Sequence, residues 1–392
     1  MGSSGAVILA ALLALVCGAC ADATGAPVKG RGQPPASLLA GPAPGGPLLG
    51  VTCAGDAECW AVGGSAPGTL HSHALVERYS GTGWALGSSP VAASGRGSVL
   101  FGVSCAGVSE CWAVGANRDG PGGDQRPLIE GYGALGWSVV TNRIPGNTAL
   151  YGVACPAHDD CWAVGATGPS SAQTGLVLHD DGTGWSTAAS PASPGPSSLD
   201  AVACAAVDNC WAVGSAGAQH TLVERFDGTS WSVVTSPDTG AGAATLSGVT
   251  CTAASDCWAV GGDTAGAMSA PLIEHDTGSG WTIVHSAVPL FSTGSSLQAV
   301  ACISKSNCWA VGVSRSAGGG AQGLSEQFKG TAWAVIRGPA AAQNHVASFS
   351  GVTCPDSDDC WVVGSCGTAG SPGCGGSASL IALYDMVLPD GH

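Results

Sequence analysis

The dipeptide Cys-Trp occurs seven times in this chain, at Cys59-Trp60, Cys111-Trp112, Cys161-Trp162, Cys210-Trp211, Cys257-Trp258, Cys308-Trp309 and Cys360-Trp361, in steps of 52, 50, 49, 47, 51 and 52 residues. A period of that length means one supersecondary unit repeated along the chain. Six residues before each of these cysteines lies another: Cys53, Cys105, Cys155, Cys204, Cys251, Cys302 and Cys354. Each Cys-Trp opens a segment ending in Val-Gly, as in Cys59 to Gly63. Next comes a Leu-Val-Glu-Arg-Tyr type run (Leu75 to Tyr79, Leu222 to Phe226), and then a Gly-Thr-x-Trp run (Gly81 to Trp84, Gly228 to Trp231).

Each unit holds four short β-type segments separated by Gly, Ser, Pro and Asp, and no helical period persists beyond a turn or two. In unit four these are Leu199 to Cys204, Cys210 to Gly214, Thr221 to Phe226 and Ser230 to Thr235. Four strands in ~50 residues is the size of a propeller blade. The units begin near residues 48, 99, 149, 198, 245, 296 and 348. A linear array would need atypical capping units. Instead the last unit stops after its third strand, Ser379 to Asp385, and Ala36 to Ala40 precedes the first unit. The prediction is an all-β, seven-bladed β-propeller over 36–392 with four-stranded blades, whose last blade is completed by that N-terminal strand. Ring closure removes the open sheet edges that a linear array would leave.

The first strand of each unit reads Gly-Val-Thr-Cys, Gly-Val-Ser-Cys, Gly-Val-Ala-Cys or Ala-Val-Ala-Cys. Such thin residues suit the innermost strand, where blades converge. If the cysteines of a unit face each other, Thr52 lies against Trp60, Val51 against Ala61 and Gly50 against Val62, so that large residues face small ones.

Eighteen cysteines then resolve into seven pairs at i, i+6, the pair Cys366 and Cys374, and Cys17 with Cys20 near the N-terminus. The expected hairpin disulfides are Cys53–Cys59, Cys105–Cys111, Cys155–Cys161, Cys204–Cys210, Cys251–Cys257, Cys302–Cys308 and Cys354–Cys360, with Cys366–Cys374 stapling a Gly-rich loop. Metal binding is the competing reading, but it needs Cys-x2-Cys or nearby His, which no unit supplies. No metal set and no cofactor is expected. The residue before each second cysteine (Glu58, Glu110, Asp160, Asn209, Asp256, Asn307, Asp359) suits acceptance of backbone N–H groups in a tight turn, with calcium as the alternative.

Residues Ala6 to Ala19 form a 14-residue apolar stretch, too short to span a bilayer and suited to a secretion signal over residues 1–21. Either Gly18-Ala19-Cys20 ends a lipobox, with Cys20 lipidated, or Ala19-Cys20-Ala21 is cleaved to release a chain starting at Asp22. Residues 22–35, rich in Gly, Pro and Ala, read as a flexible tether. The location expected is the cell envelope or the exterior. A formal charge of −15 from 12 Lys+Arg and 27 Asp+Glu excludes a phosphate-backbone partner, so no nucleic acid is expected.

An apolar strand ending in Gly-Gly (Val62-Gly63-Gly64, Val260-Gly261-Gly262), then Tyr79 and Trp84, resembles the kelch-type repeat of galactose-oxidase-like propellers. Only the first Gly recurs throughout, and the cysteine pairs lie outside that pattern. The combination looks more like a group of exported actinobacterial repeat proteins without an assigned function. That resemblance implies fold and location, not an activity.

No catalytic set stands out. The four tyrosines and the paired cysteines do not suit copper chemistry, and the arginines are scattered among segments. Glu77, Glu130, Glu224, Glu274 and Glu326 share one third-strand position, with Leu178 and Ala382 in the other two units. A group repeated in this way reads as structural, accepting hydrogen bonds from backbone or Trp N–H groups. His71, His73 and His220 read the same way rather than as metal ligands. Connections between strands two and three vary in length (Ala116 to Pro127, Asp263 to Pro271, Val313 to Gly323), as do those between units (Ala188 to Ser198, Gly338 to Ala347). Both sets would emerge on the face opposite the bridged hairpins. The expectation is a monomeric, non-catalytic recognition or scaffold module binding a glycan or an extracellular protein there. The alternatives are a carbohydrate-active enzyme, or a structural surface protein without a specific ligand.

Overall fold

Strand β1 (Ala36–Ala40) precedes seven repeated sets of strands. Blade I is β2 (Leu48–Gly55), β3 (Glu58–Ser65), β4 (His73–Tyr79) and β5 (Trp84–Leu86), and blade II is β6 (Val99–Gly107), β7 (Glu110–Arg118), β8 (Gln125–Gly133) and β9 (Gly136–Val139). Blade III is β10 (Thr148–Ala157), β11 (Asp160–Thr167), β12 (Thr174–Asp180) and β13 (Trp185–Ala188). Blade IV is β14 (Ser197–Ala206), β15 (Asn209–Ala216), β16 (His220–Phe226) and β17 (Trp231–Val234). Blade V is β18 (Ala243–Ala253), β19 (Asp256–Ala265), β20 (Met268–Asp276) and β21 (Trp281–Val284). Blade VI is β22 (Ser292–Ser304), β23 (Asn307–Ser316), β24 (Ala321–Phe328) and β25 (Trp333–Ile336), and blade VII contains β26 (Ala347–Thr353), β27 (Asp359–Cys366) and β28 (Ser379–Asp385). The computed structural model describes residues 36–40 and 46–385, leaving aside 66–71, 91–96, 119–124, 337–346, 367–378 and some single or paired loop positions; all lie in the unit Pro34–Val387.

The seven sheets are antiparallel meanders, and the seventh has the order β1-β28-β27-β26. Ala36 pairs with Tyr384 and Ala40 with Leu380, so the N-terminal strand completes the last blade as expected and covers an edge that β28 would otherwise expose.

The predicted register is the observed one: Gly50 opposite Val62, Val51 opposite Ala61, Thr52 opposite Trp60 and Cys53 opposite Cys59. All seven i, i+6 disulfides form. Cys366 is buried, and its expected partner Cys374 lies outside the described residues. Each bridge closes a hairpin of a few residues, so replacing one pair by serine (Cys204 and Cys210) should cost roughly 2 kcal/mol, read as a lower chemical-denaturation midpoint.

The sequence reading missed one feature of the inner strand. Every blade has a β-bulge there, with Leu49 unpaired between the pairs Leu48–Gly63 and Gly50–Val62, and its equivalents at Phe101, Tyr151, Asp200, Ser247, Gln298 and Ser350. The bulge pushes an inner-strand carbonyl against the facing glycine of the second strand. A Cβ on Gly261 would lie 1.9 Å from the Thr245 carbonyl oxygen, and one on Gly63 2.0 Å from that of Pro47. This explains why the first Gly of the Gly-Gly pair recurs in all units. The second has more room, since a Cβ on Gly262 would approach no atom closer than the Ser296 Cβ, at 3.1 Å, and its nearest backbone atom, the Ala270 carbonyl oxygen, lies at 3.6 Å.

Between blades, the second-strand Trp packs edge-on against the fourth-strand Trp of the next blade. Six such pairs, including Trp60–Trp137 and Trp361–Trp84, have ring centroids 5.2–5.4 Å apart and interplanar angles of 76–87°. Blade VII lacks a fourth-strand Trp because β1 fills that place. Tyr384 of β28 meets Trp309 instead, at 4.9 Å, and shares a 2.9 Å hydrogen bond with Ser325. All thirteen tryptophans thereby belong to the inter-blade seams.

Candidate functional site

The antiparallel meander puts the disulfide hairpins and the third-to-fourth turns at one end of each blade. The variable connections share the other end. On blades II, V and VI they are not simply loops, as the sequence suggested: strand pairing continues into them, in blade II as far as Arg118–Gln125. Pairing continues to Ala265–Met268 in blade V and Arg315–Ala321 in blade VI, because Thr, Ser and Ala keep the strand going past the last core residue. Inner strands β18 and β22 run 11 and 13 residues, against 8 in β2. Blades V and VI combine a long inner strand with an extended hairpin on this face. Between them lies a cleft of about 770 Å³ whose lining includes Thr264, Ser269, Thr293, Gln298 and Arg315.

The bulge residues bring a second feature to the same face. All of them but Phe101 line an axial cavity of about 170 Å³, together with the Gly/Ala and Val positions that follow the bulge in every blade. The residue before each bulge (Leu48, Leu100, Leu150, Leu199, Leu246, Leu297, Phe349) is fully buried, and the Val two residues after it is mostly buried. These flanking positions are repetitive; the bulge position is not. In blade order it reads Leu49, Phe101, Tyr151, Asp200, Ser247, Gln298 and Ser350, and the cavity takes from it an apolar arc of Leu49 and Tyr151 and a polar arc of Asp200, Ser247, Gln298 and Ser350. Phe101 and Tyr151 meet edge to face at 5.5 Å. Burial holds the Asp200 carboxyl above its ordinary range, against the lowering effect of hydrogen bonds from Ser198 and Thr245. Burial, then the Asp200 charge, raise the Tyr151 phenol. Ser247 and Gln298 line both cavity and cleft, so the two adjoin. The repeated Leu-x-Gly/Ala-Val pattern, with x free to vary, was the sequence signal that marked this ring.

The recurring glutamates take no part in this face. Glu77, Glu130, Glu224, Glu274 and Glu326 are almost wholly buried, and each accepts a hydrogen bond from a serine hydroxyl supplied by the preceding blade. The donors are Ser379, Ser89, Ser190, Ser236 and Ser286, at 2.7–3.0 Å. Burial pushes all five carboxyls up to about 7, the serine bonds opposing it. The structural role expected for them stands, and one of the expected backbone donors is present, the Ala287 N–H to Glu326 at 2.9 Å; Trp N–H groups such as those of Trp60 and Trp137 do not reach them. The missed signal was a serine five residues after the fourth-strand Trp (Ser89, Ser190, Ser236, Ser286) in a unit followed by one that has the Glu. Before Leu178 that place is Asn142, whose amide turns to the Pro127 carbonyl at 3.4 Å.

The acidic position before the second cysteine also differs from expectation. In four units its side chain crosses to the third strand, while Glu110 reaches the next blade's hairpin and Asp256 also accepts from the Thr252 hydroxyl of its own hairpin. Glu58 binds Arg78 at 2.8 Å, Asp160 binds His179 at 2.8 Å, Asp256 binds His275 at 2.7 Å, and Asn307 accepts from Gln327 at 3.0 Å. Those partners cover the second-strand Trp: His275 stacks on Trp258 at 3.7 Å, and Arg78 lies 5.2 Å from the centroid of Trp60. Asp159-Asp160 is thus divided, Asp160 toward His179 and Asp159 toward His158, which also meets Glu110 at 2.9 Å. His73 and His220 are exposed at the starts of β4 and β16, and His71 lies outside the described residues.

No protein-family model and no curated protein matches the sequence. Among solved structures, the fold is similar to YCF48 bound to D1 peptide, with TM-score 0.57 and 14% identity over 91% of this chain and 100% of that one. It is similar to a catalytically inactive virginiamycin B lyase from Staphylococcus aureus with quinupristin, with TM-score 0.60 and 14% identity over 89% and 99% of the two chains. A GH74 xyloglucanase from Xanthomonas campestris gives TM-score 0.57 and 13% identity over 84% of this chain and 53% of that one. At these identities the likeness is one of fold: a β-propeller.

Proposed function

We propose that this protein is an exported recognition module that binds its ligand, without turning it over, on the face around the axis. The observation that carries this reading is the bulge ring. Between a buried Leu or Phe and a Gly/Ala-Val pair that recur in all seven blades, the bulge position varies freely, and variation on a rigid frame marks recognition. The adjoining cleft, at about 770 Å³, falls within the ~300–1,000 Å³ of ligand pockets. Its hydroxyl-rich lining with Arg315 suits a polyhydroxylated ligand, a glycan chain. Glycoside hydrolysis calls for two carboxylates flanking the bond. Among the described residues the cleft and the axial cavity bring one, Asp200, which favours binding over turnover.

Seven disulfides fit an oxidising compartment, and no helix among the described residues is long and apolar enough to cross a membrane. Anchoring through a lipid on Cys20, with 22–35 as tether, completes the proposal and rests on the sequence alone. A glycan array probed with the purified, oxidised protein tests the binding reading. Selective signals are expected, reduced at least tenfold in Gln298→Ala and Arg315→Ala variants that melt as the parent does. A blank array, or signals that ignore both substitutions, removes the cleft as a glycan site.

A further inference from the structure

We propose that the axial mouth is a separate subsite for an alkyl cation, the ammonium or guanidinium head of a basic side chain presented by a partner protein. The inference rests on the reading of this face as the binding face, and it names a ligand class that the cleft does not. Asp200 stands at the junction of the two arcs, with Tyr151 on one side and Ser247 on the other. It brings the one carboxylate to the cavity lining, and its described partners are neutral hydroxyls, including Thr245 at 3.5 Å. A half-buried carboxylate without a cation beside it is an incomplete ion pair, and a charged hydrogen-bond donor completes it.

The rest of the ring supplies what a long basic side chain needs. Leu49 and Tyr151 form an apolar wall for the methylene stem, and Phe101 packs behind Tyr151 at 5.5 Å. The aromatic ring of Tyr151 also attracts a cation over its face. Gln298 and Ser350 offer oxygens to the remaining N–H groups. At about 170 Å³ the cavity lies below the ~300 Å³ lower bound of ordinary small-molecule pockets, so it admits one side chain but not a chain of sugars. A neutral ligand there would bury Asp200 still without a counter-charge, at a desolvation cost. The net charge of −15 draws cations toward the protein from a distance.

Titration calorimetry of the whole protein with Ac-Gly-Gly-Arg-Gly-Gly-amide, its norleucine counterpart, butylguanidinium and butylamine tests the subsite. One saturable site for the arginine peptide is expected, with the norleucine peptide at least tenfold weaker. Asp200→Asn should weaken the arginine peptide at least tenfold and Tyr151→Leu several-fold, while Asp227→Asn at an exposed turn should change nothing. Tyr151→Leu keeps the test alive should Asp200→Asn fail to fold. Equal binding by the Asp200→Asn and parent proteins, or equal binding of the two peptides, overturns the proposal. Free butylguanidinium or butylamine binding as tightly as the peptide would assign the subsite to a free amine and overturn the protein-partner source. A glycan signal lost in Gln298→Ala and Arg315→Ala, with no arginine-peptide binding, sinks this inference and leaves the recognition reading intact. Arginine-peptide binding with a blank array does the reverse for the cleft.

Discussion

The protein should melt at least about 10 °C lower at pH 8 than at pH 5. The cause is the set of five buried glutamates. Unfolded, such a carboxyl titrates near 4.5; folded, burial raises Glu77, Glu130, Glu224, Glu274 and Glu326 to about 7. Between those values the folded state keeps protons that the unfolded chain has released, so stability falls as pH rises. The contribution is fully present below the unfolded value and is lost as pH passes through about 7, on the order of 2 kcal/mol per carboxyl. Groups with the opposite sign act elsewhere. The exposed Asp227, lowered to about 2 by Thr229 and Ser230 hydrogen bonds, loses its contribution only at far lower pH.

Calorimetric melts of Glu274→Gln isolate the effect. The glutamine carbonyl still accepts the Ser236 hydroxyl but cannot ionise, so the variant should melt about 2 °C above the parent at pH 8 and near it at pH 5. A parent Tm that is flat or rises from pH 5 to 8 would show that these sites relax or admit water. Whether ligand binding follows the same pH dependence depends on the seams, since each Ser–Glu bond ties one blade to the next.

The second large effect is a single methyl group. Gly261→Ala should destabilise by about 3 kcal/mol or more, because its Cβ would lie 1.9 Å from the Thr245 carbonyl, a backbone atom held by the bulge. Its neighbour makes the control: Gly262→Ala meets a side chain at 3.1 Å, and the same place carries Ala116 in blade II and Val313 in blade VI. It should cost less than about 1 kcal/mol. Equal effects of the two substitutions in urea unfolding would falsify the bulge account of the recurring glycine. If the account holds, the same bulge that forces the glycine also aims Ser247 at the axis, so the fold's most constrained position and its most variable one share a cause.

Blade number, strand order, the seven hairpin disulfides and the closing strand Ala36–Ala40 were all legible in the sequence. Each is a local, repeated pattern: a period, a spacing of six, or a thin strand facing a bulky one. Even the register at Gly50, Val51 and Thr52 followed from complementary sizes alone. What tertiary structure decided is whatever depends on a neighbouring blade or on the axis. Ser89 and Glu130 are 41 residues apart and meet only because consecutive blades pack face to face. The crossing of Glu58 to Arg78 needs the third strand beside the second. The axial cavity draws residues from all seven units, and Asp200 acquires Tyr151 and Thr245 as neighbours only when blades III and V pack on either side of blade IV. A repeat writes its blade in local terms, but a site on a propeller is a sum over blades, and only the closed ring brings its members together.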